Sequence, residues 1–241
     1  MHRFFVNPEE LEAEEVVFSA AHARQIARVL RLKAGQHCVV LDNLGSEMMV
    51  ELTQVGAERC TASVVERAVV EEPRTKLLML LSLTQREKFE WMLQKCTEVG
   101  AAVFLPISSS RSLVQQPGDV VVKYERWRAI IREAAEQSGR GRLPELLPPA
   151  SLEAAAGEVA RNYERCLIPW EGEKTRSLKA VLTGKPVGSV AVLIGPEGGF
   201  SEDEVQHAVS AGFTPITLGK HILRMETAAV VTAALVLHEL E

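Results

Sequence analysis

The sequence predicts a mixed α/β fold, in which a small amino-terminal β-barrel precedes a parallel β-sheet that is covered by helices. The continuous apolar segment Leu77–Leu83 is typical of a strand buried on both faces of a sheet. Strands and helices alternate after this segment, which indicates parallel strands. Before it, short strands follow one another closely, as they do in small barrels.

The barrel is predicted to occupy residues 1–72. Apolar and β-branched segments alternate there with turn sequences such as Asn43-Leu44-Gly45, and one helix interrupts them. The strands are predicted at Val16–Phe18, Cys38–Asp42, Met48–Val55 and Cys60–Val70. The charged, proline-containing segment Glu71–Lys76 separates this region from the second predicted domain, residues 73–241.

The second domain contains the alternating elements. Helical periodicity from Lys88 to Val99 places Phe89, Met92 and Leu93 on one face, and Gly100 ends this helix. Further strands are predicted at residues 101–107, Cys166–Ile168, Ser189–Ile194 and Pro215–Leu218, and further helices at Tyr124–Gln137, Glu202–Ala211 and Glu226–Glu239. The last helix is apolar around most of its circumference, so it is expected to be buried, either within its own chain or in part against a second subunit, and the sequence does not choose between the two.

Composition argues against several classes of protein. The four cysteines are widely spaced and form no CxxC pair, so we expect neither a metal site nor a disulfide framework. The amino terminus lacks the apolar segment of a signal peptide. The longest apolar segment, near Ala228–Leu237, is about half the length that crosses a membrane. These observations predict a cytoplasmic protein without a membrane partner.

The net charge of −5 argues mildly against a nucleic-acid partner, because phosphate binding usually requires a basic surface. Residues 20–33 are an exception, since they contain basic side chains and no acidic one. Arg24, Arg28 and Arg31 have the i, i+4, i+7 spacing that places them on one face of a helix. Such a face is usually only solvated. The lack of acidic neighbours favours phosphate binding, to which Lys33 would contribute.

Two glycine-containing loops are predicted at the carboxyl ends of strands, where ligands bind in open α/β sheets. The first, LIGPEGGFSEDE (residues 193–204), ends in a capping box that begins the next helix. The second, TLGKHILRMETAAVV (residues 217–231), carries Arg224 and Glu226 just before small residues that permit a close approach to the helix. Either loop can be a plain tight connection, and Arg224 and Glu226 can form a surface ion pair of little energy. Two such loops side by side favour a shared cleft.

These two loops resemble motifs of the RsmE family, SPOUT-class methyltransferases that modify a uridine of bacterial 16S ribosomal RNA at N3. The resemblance continues through HARQIARVLRLKAGQ, QREKFEWMLQKCTEVG, FLPISSSRS and EAAEQSGRGRLPE, so it covers nearly the whole chain. It implies a PUA-like barrel, a carboxyl-terminal trefoil knot that binds S-adenosylmethionine, and a homodimer that acts on 16S ribosomal RNA within the small ribosomal subunit. The sequence departs from the usual motif at Lys220-His221 and at Met225.

The resemblance also implies which residues form the site. Arg224 is the candidate catalytic residue, since a cation there would stabilise negative charge on the uracil carbonyl oxygens. The candidate cofactor-binding residues are Leu193, Ile194, Gly195, Pro196, Glu197, Gly198, Gly199, Leu218, Gly219, Ile222, Leu223, Thr227 and Ala228. The candidate RNA-binding residues are Arg24, Arg28, Arg31, Lys33, Arg86, Lys88, Lys95, Arg111, Arg140 and Arg142.

Three functional classes therefore compete. An RNA methyltransferase accounts for both the loops and the barrel. A non-catalytic RNA-binding module accounts for the barrel and the basic helix but gives the loops no role. An α/β enzyme for a small molecule suits the acidic net charge but gives the barrel no role. Binding of S-adenosylmethionine would exclude the RNA-binding module, and methylation of RNA would separate the other two classes.

Overall fold

The computed structural model describes residues 1–12, 14–112, 121–184 and 187–241. These residues form two compact units. The first unit contains Met1–Glu72 and Ala135–Leu143, and the second contains Pro73–Ala134 and Pro144–Glu241. Each unit is therefore built from two separate segments of the chain.

The first unit contains six strands in the order β1-β4-β5-β6-β3-β2, and only the pair of β1 with β4 is parallel. The sequence predicted β3 to β6 but not the two short strands β1 and β2. The strands are β1 Arg3–Phe5, β2 Leu11–Glu12, β3 Glu15–Phe18, β4 His37–Leu41, β5 Ser46–Val55 and β6 Cys60–Val69.

This sheet curls back on itself. Phe4 of β1 and Phe18 of β3 meet edge to face, with ring centroids 6.1 Å apart. Four steps across a flat sheet would separate these two strands by about 19 Å. Both rings belong to one buried core, to which Cys38, Val50 and Ala62 of the intervening strands also contribute. The predicted barrel-like packing is therefore confirmed.

The basic helix after β3 differs from the prediction. Helix α1 spans Ala20–Arg24 and continues as a π-helical turn over Gln25–Val29. Arg31 lies beyond this turn with a left-handed φ of 54°. The prediction that Arg24, Arg28 and Arg31 share one helical face is wrong, because the π-helical turn changes the periodicity and the chain leaves the helix before Arg31.

The second unit contains a parallel sheet, as predicted, with the order β10-β8-β7-β12-β11-β13 and with β9 beside β8. Its strands are β7 Lys76–Ser82, β8 Val103–Ser108, β9 Glu145–Leu146, β10 Ala150–Ser151, β11 Arg165–Pro169, β12 Ser189–Ile194 and β13 Thr214–Ile216. Its helices are α2 Arg86–Val99, α3 Val121–Ser138, whose last residues belong to the first unit, α4 Leu152–Asn162, α5 Leu178–Leu182, α6 Glu202–Ala211 and α7 Met225–Leu240.

Both faces of this sheet are buried. Along β7, Leu77, Met79 and Leu81 face one core, which contains residues of α2, α3, α5 and α7. Leu78 and Leu80 face the other core, which contains residues of α4 and α6. The central strands consequently have no polar face, which explains the continuous apolar segments in the sequence.

Two helices of this unit, α4 and α5, are absent from the sequence prediction. A serine at the N-cap position is the sequence signal for both helices. Ser151 and Ser177 each accept a hydrogen bond from the backbone N–H three residues later. Within the part of the chain that the structure describes, no helix combines the length and the apolar character that a membrane span requires.

Candidate functional site

The carboxyl ends of β11, β12 and β13 lie side by side at one edge of the parallel sheet. The segments that follow them line a cavity of about 460 Å³ and a smaller one of about 100 Å³. Pro169, Glu171, Ile222, Leu223 and Ala228 line both cavities, so the two are adjacent. The shared cleft that the sequence predicted between its two glycine-containing loops is therefore present.

The loop from β12 to α6 is tightly constrained, and the reason for a glycine differs among its three glycine positions. An added Cβ at Gly195 would lie 3.0 Å from the Phe200 ring. Gly199 has a φ of +66°, and an added Cβ would lie 2.8 Å from Glu171 Oε1. An added Cβ at Gly198 meets only Arg111, at 3.5 Å, which is an ordinary contact. The left-handed φ therefore favours glycine at position 199, a side chain at position 195 would crowd the Phe200 ring, and Gly198 leaves space that the fold does not use.

Hydrogen bonds hold this loop at both ends. The Gly199 N–H donates to the Pro196 carbonyl (2.9 Å), which closes a tight turn, and Arg111 Nη1 donates to the Gly198 carbonyl (2.8 Å). At the start of α6, the buried carboxylate of Glu204 accepts the N–H groups of Ser201 (2.8 Å) and Ser110 (2.7 Å). Burial raises the pKa of Glu204, but these hydrogen bonds outweigh it and hold the pKa below its ordinary value.

The loop from β13 to α7 is much less constrained. Gly219 has a φ of +124° with no atom within 4 Å of an added Cβ, and its N–H donates to Thr217 Oγ1 (3.2 Å). Ile222 is 82% exposed. Arg224 precedes the first turn of α7 as its N-cap, and its guanidinium has no hydrogen bond or ion pair with the residues that the structure describes. An exposed cation at the mouth of the cavity is thereby available to a ligand.

A third segment, residues 169–174 after β11, also lines the cavities, and the sequence analysis missed it. Its lining residues include Trp170, Glu171 and Lys174. Glu173 accepts hydrogen bonds from the N–H groups of Thr175 and Arg176, which lower the pKa of Glu173 to about 2. The strand before this segment was predicted, so the rule that ligands bind at strand ends would have identified it.

The acidic side chains around the larger cavity are not equivalent. Glu197 accepts hydrogen bonds from Thr84 Oγ1 and from Lys88 Nζ (3.1 Å). Burial opposes its ionisation, but these hydrogen bonds and one from its own backbone N–H lower the pKa of Glu197. Glu226 differs, because its Oε2 is shielded from solvent and has no hydrogen-bond partner among the described residues.

Most of the predicted cofactor-binding residues line one of the two cavities. The exceptions are Leu193 and Thr227. Leu193 is buried in the core below the loop, because it faces the α4 and α6 side of the sheet. Thr227 is exposed on α7. Residues that line the cavities are Ile194, Gly195, Pro196, Glu197, Gly198, Gly199, Leu218, Gly219, Ile222, Leu223 and Ala228, together with the predicted catalytic residue Arg224.

The predicted RNA-binding residues have diverse surroundings. Side chains of the barrel-like unit at Arg24, Arg28, Arg31 and Lys33 are exposed. Lys88 lines the larger cavity, whereas Lys95 is paired with Glu98 (2.7 Å). Arg86 lies 3.9 Å from Glu90, so it too has an acidic partner.

Arg140 and Arg142 both make hydrogen bonds within the first unit. Arg140 is only 8% exposed, and its guanidinium donates to the Glu72 carboxylate at 2.7 Å. Glu72 also accepts the N–H groups of Gly141 and Arg142, and Arg142 donates to the Leu44 carbonyl. The burial of Arg140 is at odds with the predicted RNA contact, because its charge is already neutralised inside the first unit.

Comparison with known families agrees with this architecture. Residues 70–237 match the family described as the RNA methyltransferase domain, and residues 26–65 match the RNA methyltransferase PUA domain. The first match covers most of the second unit and all three segments that line the cavities. The second lies within the curled sheet, which is therefore PUA-like.

Individual relatives extend along the whole chain. A ribosomal RNA small subunit methyltransferase E from Synechocystis is 33% identical over 97% of this chain and 76% of its own length. The protein of the same name from Bacillus subtilis is 29% identical over 100% of this chain and 98% of its own. A solved structure of this enzyme from Neisseria gonorrhoeae, bound to S-adenosyl methionine, superimposes with a TM-score of 0.83 and 28% identity over 98% of this chain and 96% of its own.

The family match over residues 70–237, the identity along nearly the whole chain and the cavity at the ends of three parallel strands all lead to one assignment. This protein belongs to the ribosomal RNA small subunit methyltransferase E family, the RsmE family that its loop motifs resemble.

Proposed function

We propose that this protein transfers a methyl group from S-adenosylmethionine to N3 of a uridine in bacterial 16S ribosomal RNA. The observation that carries the proposal is the cavity of about 460 Å³, which the β12–α6 and β13–α7 loops line together and at which Arg224 has no partner among the described residues. Its volume lies within the range of small-molecule sites. The relatives reported above support the class of substrate.

The cavity suits S-adenosylmethionine chemically. Gly198 has neither a positive φ nor a crowded Cβ position, so its small size leaves room for a ligand against the backbone. Ile194, Gly195 and Leu223 line the cavity where the adenine and ribose are proposed to bind, and the acidic side chains of Glu171 and Glu226 suit a positively charged ligand. When bound, the cofactor supplies an activated methyl group for an in-line displacement.

Arg224 is the proposed catalytic residue. Uridine N3 is a poor nucleophile until it loses its proton, and the negative charge then spreads onto the flanking carbonyl oxygens. The guanidinium of Arg224 is exposed at the cavity and has no acidic partner among the described residues, so it is free to stabilise that charge. Positioning of the two reactants supplies a further share of the rate enhancement.

RNA binding is proposed to use both predicted domains, residues 1–72 as the PUA-like RNA-binding domain and residues 73–241 as the SPOUT domain. The exposed side chains of Arg24, Arg28, Arg31 and Lys33 support phosphate contacts by the first. Lys88 and Arg111 support contacts near the cavity, although each also holds the β12–α6 loop. Paired Arg86 and Lys95, together with Arg142, are secondary candidates. Arg140 is excluded from this proposal because it is buried.

A trefoil knot in the second domain remains a proposal that rests on the family resemblance. It is supported by strand order, since β12 pairs with β7, which precedes it by more than 100 residues, and with β11. Helix α7 then packs into the core on the same face as α2. In SPOUT enzymes the knot forms the cofactor site, so the proposal predicts that cofactor binding and the topology of the two loops are inseparable.

A homodimer is proposed from the exposed face of α7. Ala229, Ala233 and Val236 are buried on one side of this helix, whereas Ala234 and Leu235 are exposed on the other, the latter by 38%. An exposed apolar stripe on a largely apolar helix favours a second subunit. Sedimentation of the protein and of Leu235→Lys tests this, because a charge in the interface would shift the dimer to the monomer.

The proposed function is tested with labelled S-adenosylmethionine and 16S ribosomal RNA, supplied both as free RNA and as assembled small subunits from cells that lack this protein. We expect one uridine to acquire a methyl group that blocks reverse transcription, because N3 takes part in base pairing. Labelling of the assembled subunit alone would define the substrate as the particle. Cofactor binding without labelling of either substrate would contradict the proposed substrate. Cytoplasmic localisation is the expectation that follows from such a substrate.

A further inference from the structure

Glu226 is a carboxylate of the larger cavity with an oxygen to which no described residue donates. It is the second residue of α7 and lines the larger cavity two residues after Arg224. Its Oε2 is shielded from solvent, and no described residue donates a hydrogen bond to that oxygen. A shielded acceptor without a donor is costly, and a catalytic role is one of the reasons for which proteins keep such a group.

The other acidic side chains near the cavities have different surroundings. Glu197 is held by Thr84 and Lys88, Glu173 caps its own loop, and Glu204 caps α6. Glu171 lines both cavities next to the backbone of Gly199. Among the described residues, Glu226 is therefore the acidic side chain that combines a shielded oxygen without a donor with a neighbouring cation, Arg224, that has no acidic partner.

We propose that Glu226 accepts the N3 proton of the target uridine. The inference rests on the proposed function, in which this nitrogen must lose a proton before it can be methylated. The N3–H bond breaks, an O–H bond forms at Glu226, and the electron pair of the broken bond stays on N3. The negative charge that appears on the uracil lies beside the guanidinium of Arg224, and the proton later leaves Glu226 for solvent. Arg224 thereby stabilises the negative charge, and Glu226 removes the proton.

The sharpest test is Glu226→Gln, which keeps the size and the hydrogen-bonding oxygen but cannot take up a proton in this range of pH. Loss of a general base is expected to lower the rate of methyl transfer by about 10²–10⁴-fold. The affinity for S-adenosylmethionine, measured by calorimetry without RNA, is expected to stay within about threefold of that of the parent protein. Glu226→Asp is expected to recover part of the rate.

The pH profile distinguishes a base from a positioning residue. The rate of the parent protein should reach a plateau as the pH rises, as expected for a reaction with a general base in the site. The rate of Glu226→Gln should instead keep rising by about tenfold per pH unit, because hydroxide in solution then removes the N3 proton. Glu197→Gln is the matched control, since Glu197 also lines the cavity but is held by Thr84 and Lys88. It is expected to weaken cofactor binding and to keep the parent pH profile.

Two results would overturn the inference. Equal losses of cofactor affinity and turnover in Glu226→Gln, with the pH profile of the parent protein, would assign Glu226 to a cationic group of the cofactor. A rate within about threefold of the parent protein would give Glu226 no part in the reaction. Failure of the proposed function is distinct, because the parent protein itself would then leave 16S ribosomal RNA unmethylated.

Discussion

The two loops that line the cavity are built in opposite ways. The β12–α6 loop is closed by a tight turn, by Arg111 and by the capping box of α6. Its Gly199 has a left-handed φ, and a side chain at Gly195 would crowd Phe200. The β13–α7 loop carries the exposed Ile222 and also Arg224, which has no hydrogen bond or ion pair with any described residue. The first loop provides a fixed wall, and the second presents reactive side chains whose partners come from a ligand.

Arg224→Ala should have the largest effect, because it removes the cation of the less constrained loop. We expect turnover to fall by about 10²–10³-fold, as for loss of a donor that stabilises a developing negative charge. Cofactor affinity should change little, since the Arg224 guanidinium makes no hydrogen bond or ion pair with the described residues of the cavity wall. Steady-state kinetics with calorimetry measures both quantities, and Arg224→Lys is the control that keeps the charge. Equal losses of turnover and cofactor affinity would refute the proposed role.

Gly199→Ala should damage the constrained loop. A side chain at a φ of +66°, with its Cβ 2.8 Å from Glu171, is expected to cost about 1–3 kcal/mol of unfolding free energy. Gly198→Ala is the matched control, because its Cβ meets only ordinary contacts. That variant should keep its stability and lose about tenfold, roughly 1.4 kcal/mol, in cofactor affinity. Denaturant unfolding measures the stability, and calorimetry measures the cofactor affinity. Equal stability of both variants would contradict the difference between Gly199 and Gly198.

Glu204→Gln should weaken the same loop under neutral conditions and change its response to acid. The pKa of Glu204 is lowered in the folded protein from an ordinary value of 4.5. Its contribution to stability is therefore fully present above pH 4.5 and is lost as the pH falls through the folded value. We expect a loss of about 1 kcal/mol at neutral pH and a flatter decline below pH 4.5. Thermal denaturation over this pH range measures the stability. A decline below pH 4.5 equal to that of the parent protein would contradict the proposed contribution of Glu204.

Ile222→Ser should have the smallest effect on stability. The side chain is 82% exposed, so its replacement is expected to change the unfolding free energy by less than about 0.5 kcal/mol. Because Ile222 lines both cavities, a loss of cofactor affinity without a loss of stability would sharpen the comparison. A large drop in melting temperature would show that this loop supports the fold as strongly as the other.

Features that depend on local sequence were predictable. The apolar segment Leu77–Leu83 revealed a doubly buried strand, and the loop after Ile194 revealed the cavity because strand ends and glycines are local signals. The wall after β11 was missed because it has no paired glycines, although it follows the same rule. The prediction that Arg24, Arg28 and Arg31 share one helical face was wrong, because spacing alone does not reveal a π-helical turn.

Features that depend on distant partners were not predictable. Arg140 belongs to a basic segment, but its partner Glu72 lies 68 residues earlier and removes its charge from the surface. The unpaired oxygen of Glu226 likewise depends on the surrounding packing. Local sequence contains neither fact, because both arise from which segments the fold brings together.

The position of β12 also affects how the protein is made. This strand lies between β7 and β11, so the sheet has a gap at its centre until residue 194 has left the ribosome. A nascent chain that stops before this point exposes two adjacent apolar strand edges, the kind of surface from which aggregation begins. The gap in this sheet is consequently filled late in synthesis, and the cavity is completed later still, when the β13–α7 loop follows.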